Sequence, residues 1–260
     1  MIKIFLCCYN EAENLKKLLP DLEREMQLVK RDFEIFFCLD GSSDDSVAVI
    51  NNFSKSCKIK ILPQINQRGL GLAYKRLFLE IINNSTEDDL VISLDADSTH
   101  DCKQISPMLA HFEKNSLDFL VASRFCGNAV MADFPLYRQA ISKGTSLLLQ
   151  TLFAVKKISG ERLQDYTSGY RIYRTKKIKE LFVKKKNDFI TEPEFTYTCE
   201  FVIKLSRINS RFDEVAISYD YGKKIGKSKL RIMRNFWRLL VMLIKLKLNK
   251  FIPTNNILPK

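Results

Sequence analysis

The sequence predicts an α/β domain: a mostly parallel sheet with helices on both faces. Three observations carry that expectation. Short apolar runs rich in strand formers alternate with longer stretches of helical periodicity over the first 122 residues. A 260-residue chain that is 46% apolar can fill a core of that size. The apolar runs also end in polar, glycine-containing turns, and an open parallel sheet binds its ligands outside the carboxyl ends of its strands.

The first run, 2–8, is interrupted by Lys3 and met at once by acids, with no small-residue cleavage site behind it. It reads as a strand and not as a secretory signal. A helix over 11–30 follows, then strand 34–39, helix 45–55, strand 59–62, helix 69–83 and strand 90–94. A helix over 103–115 leads to strand 118–122. Beyond it the order loosens: a loop over 123–135, an apolar helix over 136–155, a polar turn over 159–170, helices over 175–185 and 194–207, and a strand over 214–219. No repeat or low-complexity linker interrupts the chain. The domain is set at 1–230 and a basic tail at 231–260.

Composition removes several classes of chemistry. Seven dispersed cysteines, without a C-x-x-C pair, make neither a disulfide framework nor a thiolate metal site and fit a reducing compartment. Two histidines leave little material for zinc sites or Ser-His-Asp catalysis, so a metal here would sit on oxygen. The richest apolar window, 239–244, is closed by Lys245 and Lys247, far short of the ~18 residues of a membrane span. The net charge of +12 is uneven: residues 1–220 carry 31 Lys+Arg against 30 Asp+Glu, and residues 221–260 carry 11 Lys+Arg and no acid.

The polar strand ends hold the candidate chemistry. Asp95-Ala96-Asp97 closes an apolar strand; two carboxylates there suit Mg²⁺ or Mn²⁺ bridging to phosphates, and serve equally well to open a turn. Asp40-Gly-Ser-Ser-Asp44 ends another strand, where an aspartate can accept from a nucleobase N–H or simply shape the turn. Arg68-Gly-Leu-Gly71 precedes a helix, as a phosphate approach or a plain tight turn.

As an ordered set, these motifs resemble the inverting family 2 glycosyltransferases of GT-A fold, in the branch of dolichyl-phosphate mannose synthase and polyprenyl-phosphate glycosyltransferases. The set is Tyr9-Asn-Glu-Ala-Glu-Asn14, Asp40-Gly-Ser-Ser-Asp44, Gly69-Leu-Gly-Leu-Ala73, Leu94-Asp-Ala-Asp97, Ser123-Arg-Phe125, Arg138 with Ser142-Lys-Gly144, Asp165 to Tyr173, Glu214 to Ser218, and Gly226-Lys-Ser-Lys-Leu230. The resemblance implies a Rossmann-like GT-A domain and a nucleotide-sugar pocket made by Cys7, Tyr9, Glu11, Cys38, Asp40, Asp95, Ala96 and Arg124. It implies diphosphate contacts from Lys223 and Lys229, a metal site of Asp95, Asp97 and Thr99 holding Mg²⁺ or Mn²⁺, and Asp97, Arg124 and Arg138 as the catalytic groups. The chain departs from the pattern at Leu39, where the branch has a first aspartate, at Cys7-Cys8, and at Thr99, where it has glutamine.

The implied reaction is inverting transfer of one sugar from GDP-mannose or a UDP-hexose to polyprenyl or dolichyl phosphate. A lipid phosphate is already anionic, so Arg124 and Arg138 would grip it and no general base is required. The alternatives are a GT-A transferase acting on a saccharide hydroxyl, and an inactive nucleotide- or membrane-binding protein. Glu194 in Thr191-Glu-Pro-Glu-Phe-Thr196 reads as an acceptor-side acid or a helix-opening one. On a helix over 230–248, Ile232, Phe236, Leu239, Leu240, Leu243 and Leu246 share one face, and Arg231, Arg234, Arg238 and Lys245 another. That pattern suits an anionic membrane surface at the cytoplasmic face, with a membrane-anchoring subunit as a possible partner. Nucleic acid is not an expected partner, since no stacking platform accompanies the charge.

Overall fold

The computed structural model describes residues 1–62, 69–226 and 232–248. The main sheet has seven strands: β1 (Ile2–Cys8), β2 (Phe33–Leu39), β3 (Ile59–Leu62), β4 (Leu90–Asp95), β5 (Phe119–Ser123), β7 (Arg171–Arg174) and β8 (Phe212–Ala216). Two short strands, β6 (Val130–Ala132) and β9 (Ser218–Asp220), pair separately. Among the described residues there are eight α-helices: α1 (Ala12–Val29), α2 (Ser46–Phe53), α3 (Leu70–Asn84), α4 (Ile105–Lys114), α5 (Leu136–Phe153), α6 (Thr175–Lys185), α7 (Tyr197–Ser206) and α8 (Ile232–Leu248).

The strand order is β3-β2-β1-β4-β7-β5-β8, and every neighbouring pair is parallel except those that β7 makes with β4 and β5. The α/β expectation therefore holds. β1 and β2 are buried along nearly their whole length, so alternate side chains feed two apolar layers instead of one. Phe5, Phe36, Val91 and Phe119 pack on one face under α3 and α7. Ile4, Leu6, Ile35, Phe37, Ile92 and Leu120 pack on the other under α1 and α4.

Three elements differ from the sequence reading. β7 falls where the chain showed only a polar turn and the approach to a helix, because its four residues begin and end in arginine. Arg171 is fully buried, its guanidinium donating to the carbonyls of Thr198 and Tyr166 at 2.9 Å each. The expected strand 214–219 divides at Ile217: Phe212–Ala216 stays in the main sheet, and Ser218–Asp220 leaves it to pair with β6. β6 itself lies inside the expected loop 123–135.

Of the expected tail, 231–260, α8 is described and the rest lies outside the described residues. Leu239, Met242, Leu243 and Leu246 of α8 join the apolar layer that holds Phe201 and Phe212, and Arg207 Nη2 caps the Leu246 carbonyl at 3.0 Å. α8 is thus packed on the domain. Its expected basic face is partly spent internally, since Arg234 pairs with Glu194 at 3.0 Å and Arg238 with Glu192 at 3.2 Å. Of the expected apolar face, Phe236 stays half exposed, and a second apolar row of Met233, Trp237, Val241, Ile244 and Leu248 points to solvent.

Candidate active site

β1 and β4 are neighbours, and the sheet order runs outward from them in opposite directions. Their carboxyl ends flank the crevice where doubly wound sheets bind ligands. Cys7 is in register with Asp95 across that junction and with Cys38 on β2. A cavity of about 600 Å³ opens there, of the size that accepts a nucleotide-sugar-sized ligand.

The two loops on the β1 and β2 side brace each other. Ser42 Oγ accepts from Asn10 N at 3.0 Å, Asp44 Oδ2 from Ala12 N at 3.0 Å, and Ser46 Oγ from Glu11 N at 3.0 Å. Asn10 holds a left-handed backbone, φ 54°, and its Oδ1 accepts from Ser43 N at 2.7 Å. The serines and Asp44 of the Asp40-Gly-Ser-Ser-Asp44 motif are therefore structural ties that fix Tyr9, Glu11 and Asp40 on the cavity wall. Asp40 accepts from Gly69 N at 3.1 Å. Burial pushes the Cys38 thiol up to about 11 and the Cys7 thiol well above its usual range, so both are neutral, and of the two Cys7 is on the wall.

The glycines of Gly69-Leu-Gly71 meet protein, not phosphate. A Cβ on Gly71 would lie 2.0 Å from the Glu192 carbonyl oxygen, and one on Gly69 2.3 Å from that of Pro193. Gly71 N donates to the Pro193 carbonyl at 2.9 Å. This approach seats the Glu192–Phe195 segment on the cavity rim, where Glu194 and Phe195 line it beside Arg234 and Asn235 of α8. Arg68 lies outside the described residues.

β7 assembles the opposite wall. Because it runs antiparallel, its first residue, Arg171, pairs with Ser93 on β4 and Val121 on β5. The turn that precedes it, 165–169, is thereby delivered to the carboxyl ends of both strands. Asp165, wholly buried, accepts from Arg124 Nε at 2.9 Å, Arg124 Nη2 at 3.0 Å and Arg124 N at 3.1 Å, and also from Thr167 N and Ser168 N. Burial alone would raise its carboxyl, but the Arg124 charge and these bonds hold it below the usual carboxylate range. Arg124 faces the cavity while fixed from behind by Asp165, with Tyr219 and Phe134 beside its guanidinium. Arg138 enters from α5 against the Tyr221 ring.

Asp95, Ala96 and Asp97 line the cavity floor. Asp95 keeps 35% of its side-chain surface and lies against Gly169, where an added Cβ would come within 3.1 Å of Oδ1. Burial and the neighbouring Asp97 raise its carboxyl above the usual range. His100, held neutral by burial, accepts from Asp95 N at 3.3 Å and stacks near Tyr170. Asp97 Oδ1 accepts from Thr99 Oγ1 at 2.6 Å, and Oδ2 accepts a short hydrogen bond from Lys224 Nζ. Burial would raise the Asp97 carboxyl, but Lys224 and Thr99 bring it below the usual range.

Two carboxylates at the open end of a sheet fit a hard divalent cation. Among the described residues no three His, Cys, Asp or Glu side chains converge, so Asp95 and Asp97 would supply the protein ligands and leave the remaining positions to phosphate and water.

Most expected site residues meet at this cavity: Cys7, Tyr9, Glu11, Asp40, Asp95, Ala96, Asp97, Arg124 and Arg138. Cys38 lies beneath it. Thr99 is 1% exposed and turned toward Asp97, so it orients that carboxylate. Lys223 lies on a second groove beside Asp21 and Asp101; the lysine that enters is Lys224. Lys229 lies outside the described residues. Sequence reading missed Lys224 and the Asn235 and Ile232 positions of α8, whose placement depends on packing between chain ends.

A doubly wound sheet with carboxylates at its switch point and a cationic opposite wall is the GT-A glycosyltransferase architecture. The chain belongs to glycosyl transferase family 2, whose model matches residues 3–182. It is 25% identical over 210 residues to the dolichol-phosphate mannosyltransferase of Pyrococcus furiosus, covering 75% of this chain and 56% of that protein's length. It is 25% identical over 223 residues to the undecaprenyl-phosphate mannosyltransferase of Micrococcus luteus, covering 85% of this chain and 84% of the relative. In fold it resembles glucosyl-3-phosphoglycerate synthase from Mycobacterium tuberculosis, solved with Mn²⁺, UDP and glucosyl-3-phosphoglycerate. That match has a TM-score of 0.61 at 14% identity and covers 98% of this chain and 81% of the other.

Proposed function

We propose that this glycosyltransferase moves a single sugar, with inversion, from a nucleotide sugar to polyprenyl phosphate. The observation that carries the reading is the division of charge in one cavity: Asp95 and Asp97 on the floor, and Arg124, Arg138 and Arg234 around the wall and rim. Carboxylates with a divalent cation suit a nucleoside diphosphate, whose departing charge that cation neutralises when bound. The arginines suit a second anion, as an acceptor phosphate would be. A phosphate acceptor loses no proton in the attack, and Glu194, the rim carboxylate, is paired with Arg234 and not poised as a base. The relatives named for dolichol- and undecaprenyl-phosphate support the same acceptor class.

The surface supports a membrane-bound acceptor. No helix among the described residues is long and apolar enough to cross a bilayer. α5 and α8 both start at the cavity rim, and both expose apolar rows, with Tyr137, Ile141 and Leu148 on α5 and Trp237, Val241 and Ile244 on α8. Half-exposed aromatic and aliphatic side chains beside basic ones favour the headgroup region of an anionic leaflet. The exposed rows support a peripheral position on a membrane; the cytoplasmic face and a membrane-anchoring subunit belong to the proposal through the family resemblance alone.

The test is a screen of GDP-mannose, UDP-glucose and UDP-N-acetylhexosamines against polyprenyl phosphates and lipid-free saccharides, with Mg²⁺, Mn²⁺ or chelator. Metal-dependent transfer to a polyprenyl phosphate is expected. Transfer to saccharide hydroxyls alone, or to nothing, would overturn the reading.

A further inference from the structure

Asp97 is the more deeply set of the two floor carboxylates, and both its oxygens are engaged. Thr99 holds Oδ1, and the Lys224 ammonium sits on Oδ2. We propose that Lys224 is a built-in counter-ion, occupying the divalent cation's place at Asp97 in the donor-free protein, and that it leaves only when cation and nucleotide diphosphate arrive together. The proposal rests on the donor-site reading above and adds an order of loading to it.

Lys224 is presented by an anchored segment. Its neighbour Ile225 is bound to Asn14 of α1 in both directions, Ile225 N to Asn14 Oδ1 at 3.0 Å and Asn14 Nδ2 to the Ile225 carbonyl at 3.1 Å. Asn14 is 2% exposed, so this tie is sheltered from water. On the other side, Asp220 Oδ1 accepts from Gly222 N at 3.0 Å and fixes the turn into Lys223. The backbone on either side is thus fixed, and the flexible lysine stem is the part free to swing. Among the described residues Lys224 Nζ is the cation paired with Asp97, and Arg124 is committed to Asp165.

An ammonium neutralises one carboxylate but cannot join it to phosphate oxygens, as a divalent cation does. A bare divalent cation entering alone must evict Lys224 toward carboxylates that are already engaged: Glu11 accepts from Asn14 Nδ2, Asp40 from Gly69 N and Glu194 from Arg234, and Asp95 is the cation's own second ligand, so the ammonium meets no further anion among the described residues. A diphosphate entering with the cation supplies that anion. The exchange then balances charge: the cation takes Asp97, and the ammonium takes phosphate oxygen. Free cation is therefore disfavoured without nucleotide.

The test is Mn²⁺ binding to the full-length protein, followed by the electron paramagnetic resonance of free Mn²⁺, without nucleotide and with GDP or UDP. Lys224→Met should bind Mn²⁺ on the order of tenfold more tightly than wild type when no nucleotide is present, because a competing charge at contact distance is gone. Lys224→Gln should move in the same direction and covers the case in which the methionine variant fails to fold. Lys17→Met, on the neighbouring groove, makes the same change in net charge and should leave Mn²⁺ affinity unaltered. Nucleotide should enhance Mn²⁺ binding more in wild type than in either Lys224 variant. Unchanged or weaker Mn²⁺ binding in both Lys224 variants overturns the proposal, as does an equal gain in Lys17→Met. Absence of Mn²⁺ binding in every protein and condition overturns it too. Transfer is not measured, so failure of the acceptor screen with this binding pattern intact refutes the acceptor and not the exchange.

Discussion

Replacing Asp165 with asparagine tests whether the turn before β7 holds Arg124 in place. Oδ1 of Asp165 accepts from Arg124 Nη2, Thr167 N, Thr167 Oγ1 and Ser168 N, and Oδ2 from Arg124 N and Nε. The amide that disturbs least keeps its oxygen at the Oδ1 position and points NH₂ at the two Arg124 donors on Oδ2. Two charge-assisted bonds are lost at ~1.5–3 kcal/mol each. Breaking a buried ion pair from one side costs roughly 3–5 kcal/mol by comparison, so the two estimates agree. Urea unfolding followed by circular dichroism should show a loss of about 3–5 kcal/mol, and a double-mutant cycle with Arg124→Met should return coupling of at least ~2 kcal/mol. A loss below about 1 kcal/mol, or additive single mutants, would refute the role given to this pair. The pH dependence has a fixed sign. A carboxyl depressed in the folded state stabilises above its unfolded value of about 3.9 and loses that contribution as pH falls toward the folded one. Wild type should therefore lose stability below about pH 4 more steeply than Asp165→Asn.

Three other outcomes follow from the same geometry. Gly71→Ala puts a methyl 2.0 Å from the Glu192 carbonyl oxygen, so thermal unfolding should show a loss of about 1–3 kcal/mol, with weakened donor binding as the rim segment shifts. Asp97→Asn should lower metal-dependent transfer by on the order of a hundredfold or more, and chelation should do the same to wild type, both read as sugar incorporated into lipid. Trp237→Glu with Ile244→Glu, two exposed α8 positions away from the cavity lining, should abolish co-sedimentation with anionic vesicles while leaving nucleotide affinity intact by calorimetry.

The parallel half of the fold was legible because each of its strands is a buried apolar run bounded by polar turns. β1 through β4 appear within one residue of their expected positions, and the loops behind them carry the site residues anticipated there. β7 was hidden by Arg171, a charged residue that hydropathy assigns to the surface and that the Thr198 and Tyr166 carbonyls accommodate inside. β6 and β9 are three residues each and pair across nearly ninety positions, a contact that no local pattern announces. Lys224 was indistinguishable from its basic neighbours, since what selects it is the tie between Ile225 and Asn14, 211 positions apart. Motif membership did not separate site residues from supports: Ser42, Asp44 and Gly71 belong to the same motifs as Asp40 and hold protein to protein.

Those protein-to-protein ties explain why α8 is not a separable appendage. Gly71 admits the Pro193 carbonyl, which fixes the segment carrying Glu192 and Glu194. Those two acids hold Arg238 and Arg234 on the first turns of α8, and the later turns are buried in the same apolar layer as α7. The helix with an exposed Trp237 row is thus joined, through one glycine and two ion pairs, to the rim of the cavity that we propose holds the donor. A helix serving only as a membrane anchor needs one apolar face. This one has two, one turned into the core and one outward, which is what the proposed membrane placement requires of an element that also borders the site.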